Sequence, residues 1–275
     1  PAHRKGGRNP GEGRTVNKGS AVVWLLGAAL AVGSAPAIGA EHDAADVDSY
    51  PVVGRGPIEM DIDLEFGDWR LANEVLVMGE DSWEPLGGTW DDEDDQSATL
   101  QIVWEPGGLF FKFIVKDDEF IAQGGNPWEN DGIQMAIDGS AGEIPAGFPN
   151  GTTHLYNFGI ADGWQPEAGD FQGDAEIVME RDDAAAENQF EWYMPVEIFA
   201  EKGTVLSGGM EIAFAIIVND SDPGAEGQTG WIGWGNHTIV FGKQPEEMQT
   251  LELQDEVLAV DAAGKLATAW GALKR

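Results

Sequence analysis

Residues 97–120, SATLQIVWEPGGLFFKFIVKDDEF, decide the fold. Leu100, Ile102 and Trp104 stand two apart, as do Leu109, Phe111, Phe113 and Val115, and Glu105-Pro106-Gly107-Gly108 separates the two runs. A period of two puts these side chains on one face of each strand, and Pro followed by paired Gly supplies a tight reversal. The stretch predicts a β-hairpin with one buried face.

The same period recurs along the chain at Ile133, Met135 and Ile137, at Phe190, Trp192 and Met194, and at Met210, Ile212, Phe214, Ile216 and Val218. Turn formers punctuate these runs at PNG (149–151) and NDSDPG (219–224), and no segment sustains a 3.6-residue apolar stripe over three turns. Short helical turns are expected only at EFGDWRLA (65–72) and PVEIFAEK (195–202). Around ten short strands, hairpin links and no βαβ repeat predict an all-β protein, an antiparallel β-sandwich of jelly-roll type with minor short helices.

The chain has 49 acids against 15 bases, and five of those bases (Arg4, Lys5, Arg8, Arg14, Lys18) precede residue 41. A domain this acidic lacks the basic footprint of a nucleic-acid binder or of a protein held on anionic lipid. The basic start, the apolar run AVVWLLGAALAV (21–32) and the small residues APA (35–37) or IGA (38–40) predict a targeting segment over 1–40. The run falls short of the roughly 20 residues of a membrane span, so the expectation is cleavage, no stable span in the mature chain and an extracytoplasmic location. The chain starts with Pro rather than Met, and its first residues carry no fold argument. With no cysteine, disulfides, thiol nucleophiles and cysteine-held metals are excluded.

Residues 41–56, EHDAADVDSYPVVGRG, read as an acidic linker, 57–254 as the sandwich and 255–275 as a C-terminal tail with no assigned role. The loop WDDEDDQSA (90–98) gathers Asp91, Asp92, Asp94 and Asp95, hard oxygen ligands suited to calcium, though without the EF-hand spacing. The signatures G-x-S-x-G, the Walker loop and H-E-x-x-H are absent, which favours binding over catalysis. Of eleven tryptophans, Trp104 and Trp192 are in register with core residues, and Trp69 is suited to pin a short helix to a sheet. Trp128 differs, lying in NPWEND (126–131) among turn formers and acids. An exposed ring there, with Asn130, Asp131 and Gln134 nearby, has the mixture of apolar face and polar edge that sugars use.

Taken in order, the motifs resemble the family 9 carbohydrate-binding modules within the DOMON-like β-sandwich group. They are IEMDIDLEFGDW (58–69), SATLQIVWEPGGLFFKFIVKDDEF, NPWENDGIQMAID (126–138), FEWYMPVEIF (190–199), MEIAFAIIVNDSD (210–222), GWIGW (230–234) and the closing FGK and LEL. The resemblance implies a non-catalytic, extracytoplasmic sandwich with structural calcium, attached to enzymes that degrade xylan or glucan. Trp128 matches the family's stacking tryptophan, with Gln134, Tyr156, Asn157, Trp234 and His237 as its expected sugar-binding company. The chain departs from the pattern at Gln134, where sugar-binding members carry Glu, at Ile217, where they carry Gln, and near Tyr156 and Asn157, where they carry Arg. The loop GNHTIV (235–240) is shorter and lacks the second stacking Trp. A rival reading is a DOMON-type haem domain with an axial ligand among Met135, Met179, Met194 and Met210. A third is a surface module whose sugar site has been lost.

Overall fold

The computed structural model describes residues 40–72, 74–122, 126–139, 153–160, 163–168, 175–225, 227–240 and 244–258. The expected targeting segment and most of the 255–275 tail lie outside the described residues. Fourteen strands are described: β1 (Glu41–Asp43), β2 (Ser49–Gly54), β3 (Val75–Met78), β4 (Trp83–Pro85), β5 (Gln96–Glu105), β6 (Gly108–Asp117), β7 (Gly132–Asp138), β8 (Thr153–Gly159), β9 (Gly163–Ala168), β10 (Glu176–Asp182), β11 (Glu187–Pro195), β12 (Glu211–Asp220), β13 (Gly230–Trp234) and β14 (Gln249–Val257). Among the described residues helix is confined to α1 (Val196–Phe199), α2 (Asn236–Ile239) and short 3-10 turns, including Trp69–Leu71 and Pro127–Glu129. Both expected helical segments therefore contain a turn of helix and no more.

The opening hairpin is β5–β6. Leu100 pairs with Phe113, Ile102 with Phe111 and Trp104 with Leu109, so every apolar residue of one run meets one of the other. β11 continues the row on the far side of β6, with Trp192 opposite Phe111 and Phe190 opposite Phe113. The fourteen described strands form one hydrogen-bonded sheet folded into two layers and joined through β2 and β14. In the second layer, or second sheet, β12 pairs with β7 on one side and with β13 and β14 on the other, and β8 and β9 follow β7. Alternation turns Ile133, Met135, Ile137, Tyr156, Phe158, Phe214, Ile216 and Trp234 toward the first sheet. The two layers meet through aromatic rings: Phe111 lies 5.9 Å from Phe214, and Trp192 lies 5.1 Å from Phe158. This is the predicted all-β sandwich.

Residues 41–56 correct the sequence reading. They are no linker: β1 pairs with β3, and β2 lies inside the sheet between β5 and β14, parallel to both. Tyr50 and Val52 are fully buried, and the Tyr50 hydroxyl donates to the Glu74 carbonyl at 2.7 Å. Acids in the β1–β2 turn hid a strand whose buried residues are only three, Tyr50, Val52 and Gly54. The tail boundary also moves, because Asp255–Val257 belong to β14 and Leu258 is buried.

The strands were expected to bury one face, yet the sandwich buries more. The outer face of the first sheet carries Val103 and Phe110, capped by Met60, Ile62 and Trp69 from the segment that follows β2. Glu191 holds that segment down, accepting from the Asp63 and Leu64 amides at 3.1 and 2.7 Å and from Trp69 Nε1 at 2.5 Å. Trp69 thus pins its helical turn to the sheet as expected. The outer face of the second sheet carries Ala136, Leu155, Ala215, Ile217 and Trp231 under Ile239 of α2.

If β2 is integral, Tyr50→Ala will cost about 3–5 kcal/mol of folding stability, the usual penalty for emptying a large buried aromatic site. Denaturant unfolding measures it, and a change within about 0.5 kcal/mol, normal for an exposed linker residue, would restore the linker reading.

Candidate functional site

Trp128 is positioned by a self-contained turn. Asn126 donates from its amide and from Nδ2 to the two oxygens of Glu129, both at 3.0 Å, and Glu129 N closes on the Asn126 carbonyl at 3.0 Å. Ser221 Oγ donates to the Glu129 carbonyl at 3.0 Å, which ties the turn to the loop after β12. Trp128 remains 37% exposed, whereas Trp69, Trp192, Trp231 and Trp234 are each buried to within 1%. An exposed ring on a braced turn is a surface offered to solvent.

The other residues expected around that ring part company. Gln134 and Asn157 do stand opposite each other across β7 and β8, on the outer face. Both are buried, and Gln134 Nε2 donates to Asn219 Oδ1 at 2.9 Å, where Gln228 Nε2 also arrives at 2.7 Å. Tyr156 is not a sugar contact: one residue away from Asn157, alternation turns it inward, fully buried against Phe158 at 6.2 Å. Trp234 is likewise core, its ring beside Tyr50 and Phe214 and its Nε1 donating to the Val47 carbonyl at 2.7 Å. His237 is exposed on α2, its Nε2 3.2 Å from Glu84 Oε2. The chain enters α2 beside Ala215, four residues down β12 from the Trp128 end, or about 13 Å at a strand rise of about 3.3 Å per residue. Trp128 and His237 therefore belong to different places.

The four methionines considered as haem ligands are packing residues. Met135 and Met194 are fully buried in the central core, and Met179 and Met210 pack against it.

The acidic loop is also rearranged. Asp92 Oδ1 accepts from the amides of Asp94 and Asp95 within its own turn, and Asp94 faces Lys116 at 3.1 Å on the surface. Of the four expected ligands, Asp91 and Asp95 line a cavity of about 180 Å³, where they join Asp117, Asp118, Asp220 and Asp222 from the ends of β6 and β12. Asp131, which precedes β7 and is 4% exposed, lies near enough to Asp117 and Asp220 to feel their charge; its Oδ2 accepts from the Ile121 amide, and the Ser221 amide also favours its ionised form. Burial pushes the Asp131 carboxyl up to about 9, with Asp117 and Asp220 adding repulsion. Burial likewise raises Asp220 to about 7, against the Thr229 hydroxyl that donates to it at 2.9 Å. Asp117 is raised by burial even though Arg181 and Asn188 face it. Hard oxygen donors are the set calcium takes. Among the described residues no three acidic or histidine side chains converge closely enough to share one ion as they stand, so an ion would have to draw them together. The sequence signal for this cluster was an acid at each of three strand ends, in KDDEF, WEND and NDSD, rather than the acidic run itself.

With fold and site defined, the molecule falls among β-sandwich binding modules. Residues 80–256 match the model of the carbohydrate family 9 binding domain-like family, and the chain belongs to that family. A similar solved structure is a carbohydrate binding module family 9 from Caldicellulosiruptor kristjanssonii in complex with cellotriose: 14% identity, 78% of this chain and 99% of that one covered, TM-score 0.58. The module from the same organism in complex with glucose matches with the same identity and coverage at a TM-score of 0.56. At such identity the likeness is one of fold. No curated protein matches the chain.

The acid cluster sets a pH dependence. Asp131 holds its proton in the folded state far above the ordinary carboxylate range, so its contribution to stability is fullest below about pH 4, where the unfolded chain is protonated too. It declines as pH climbs toward about 9, where the folded group also ionises. In metal-free buffer the melting temperature will fall between pH 5 and pH 8, and Asp131→Asn will flatten that fall; an equally steep profile in the variant would show that Asp131 is not responsible.

Proposed function

We propose that this chain is a secreted, non-catalytic carbohydrate-binding module that recognises neutral plant- or algal-type polysaccharide of the xylan or glucan class and assists a glycoside hydrolase. The observation that carries the reading is Trp128: in a chain of this family, a large aromatic is braced at the surface while the other tryptophans named above are core. A sugar ring offers C–H faces to such an indole and hydroxyls to the amides and carboxylates beside it. The outer face of the second sheet, filled by Ile217, Ala215, Leu155 and Ile239, supports a platform rather than a deep slot. Export is supported by the apolar run and small-residue sites of the first 40 residues, and no helix among the described residues is long and apolar enough to cross a membrane.

Trp128→Ala will weaken binding of cellotriose or xylotriose by about 1–3 kcal/mol, the range aromatic stacking supplies on other planar rings, and leave stability nearly unchanged. Paired calorimetric titration and unfolding test this. A loss of about 3–5 kcal/mol in stability would make the ring a core lid instead.

We also propose that calcium binds where Asp117, Asp131 and Asp220 gather at the strand ends. The support is their shared burial and the way neighbouring carboxylates raise Asp131 and Asp220 together. A cation that binds only the folded chain stabilises it by mass action, so calcium will raise the melting temperature above that in chelator. The increment will vanish in Asp131→Asn; equal melting with and without calcium in the wild type would remove the metal from the account.

A further inference from the structure

Beside α2, remote from Trp128, lies a second cavity of about 260 Å³. Its shape follows from two glycines. A side chain at Gly233 would meet Asn236 Oδ1 at 2.5 Å, and Gly235 adopts φ of 72°, a left-handed conformation natural to glycine. The chain can therefore fold back over β13 and set Asn236 and His237 against β4. Glu84 on β4 receives both: Asn236 Nδ2 donates to Oε1 at 3.0 Å, and Oε2 lies 3.2 Å from His237 Nε2. The side chains of Glu84 and His237 remain 32% and 49% exposed, so the braced carboxylate can still be reached.

The walls carry Asp81, Glu84 and Glu247, with Asn236 and Gln249 as neutral amides and His237 as the sole basic side chain among the described residues. Each Glu84 oxygen keeps a lone pair beyond the bond it already accepts. Negative walls inside a protein of formal net charge −34 attract a cation and repel uronate or sulfate groups. At about 260 Å³ the cavity is slightly below the roughly 300–1,000 Å³ of pockets for drug-sized ligands, which suits one sugar ring rather than a chain.

The geometry points to a pocket for an amino sugar, whose protonated amine lies against Glu84 and Asp81 while its hydroxyls reach Asn236 and Gln249. It rests on the reading of the chain as a sugar-binding module but not on Trp128. Charge-assisted bonds from an ammonium to a fixed carboxylate are the stronger kind, and acetylation of the amine removes them. The pocket therefore discriminates a free amine from its N-acetyl counterpart.

Titration calorimetry of the full chain with the glucosamine trimer, the N-acetylglucosamine trimer and cellotriose tests this, using wild type, Glu84→Gln, Asp81→Asn and Trp128→Ala. The expected result is glucosamine-trimer binding at least tenfold tighter than that of the acetylated trimer. Glu84→Gln will weaken it at least tenfold, Asp81→Asn will weaken it in the same direction, and Trp128→Ala will leave the preference intact. The His237 ring resonances will shift on titration, and the melting temperature of each variant guards against loss of the fold. Salt-sensitive binding that Glu84→Gln leaves unchanged would be diffuse attraction to the acidic surface and would overturn the pocket, as would equal binding of the acetylated trimer. Cellotriose bound through Trp128 with no preference for the amine would overturn the pocket alone. Glucosamine trimer bound through Glu84 with no cellotriose binding would overturn the Trp128 platform alone, and no binding of any sugar would overturn both.

Discussion

The rest of the molecule depends on the contact of Phe111 with Trp192. The rings stack 4.7 Å apart at an interplanar angle of 9°, directly opposite each other on β6 and β11, and the pair reaches across the sandwich to Phe214 and Phe158. Aromatic rings bury more apolar surface per residue than aliphatic ones, and here four of them join both sheets. Register follows from the same contact. A slip of one residue would turn the whole inner row outward, exposing Leu109, Phe113, Phe190 and Met194 together.

Because the inner faces are taken by this core, the outer faces decide what the molecule can present. The first sheet gives its outer face to Met60, Ile62 and Trp69, held by the buried Glu191, whose carboxyl burial pushes up while the Trp69 indole and two amides hold it down. The second sheet covers much of its own outer face with Ile217, Trp231 and Ile239. The neighbours of Ile217 across the strands are Gln134 and Gly233. Its branched alkyl group extends the apolar layer there, and Gln134 turns to Asn219 for its hydrogen bond. What remains for ligands is at the margins: the indole of Trp128 at one end and the acid-walled cavity beside α2 at the other.

Charge is organised along the same lines. Strand ends are where chains leave the core and polar groups regain water, yet β6, β7 and β12 bring Asp117, Asp131 and Asp220 to one end and bury them together. Arg181 answers only Asp117, across 3.8 Å, and spends its remaining donors on the Asp117 carbonyl, Asn188 and Asp183. Asp131 and Asp220 lie in a poorly solvated place, where burial raises both carboxyls and Asp131 keeps its proton.

The sequence by itself determined the sandwich, because period-two alternation is a local property: Leu100 to Trp104 and Leu109 to Val115 state their pairing before any partner is known. It also marked Trp128, since turn formers on both sides keep a ring from being drawn inward. It left β2 unseen, because a short strand with Pro51 inside it, flanked by acids, gains its burial only from β5 and β14, which lie far along the chain. Tertiary structure alone decided that Tyr156 and Trp234 face the core, that Asp92 and Asp94 close on their own loop, and that Asp117, Asp131 and Asp220 meet. The physical reason is the same in each case: a residue's type fixes what it can bind, but which side chains meet depends on strand order and register, and these are set by long-range pairing that no local pattern records.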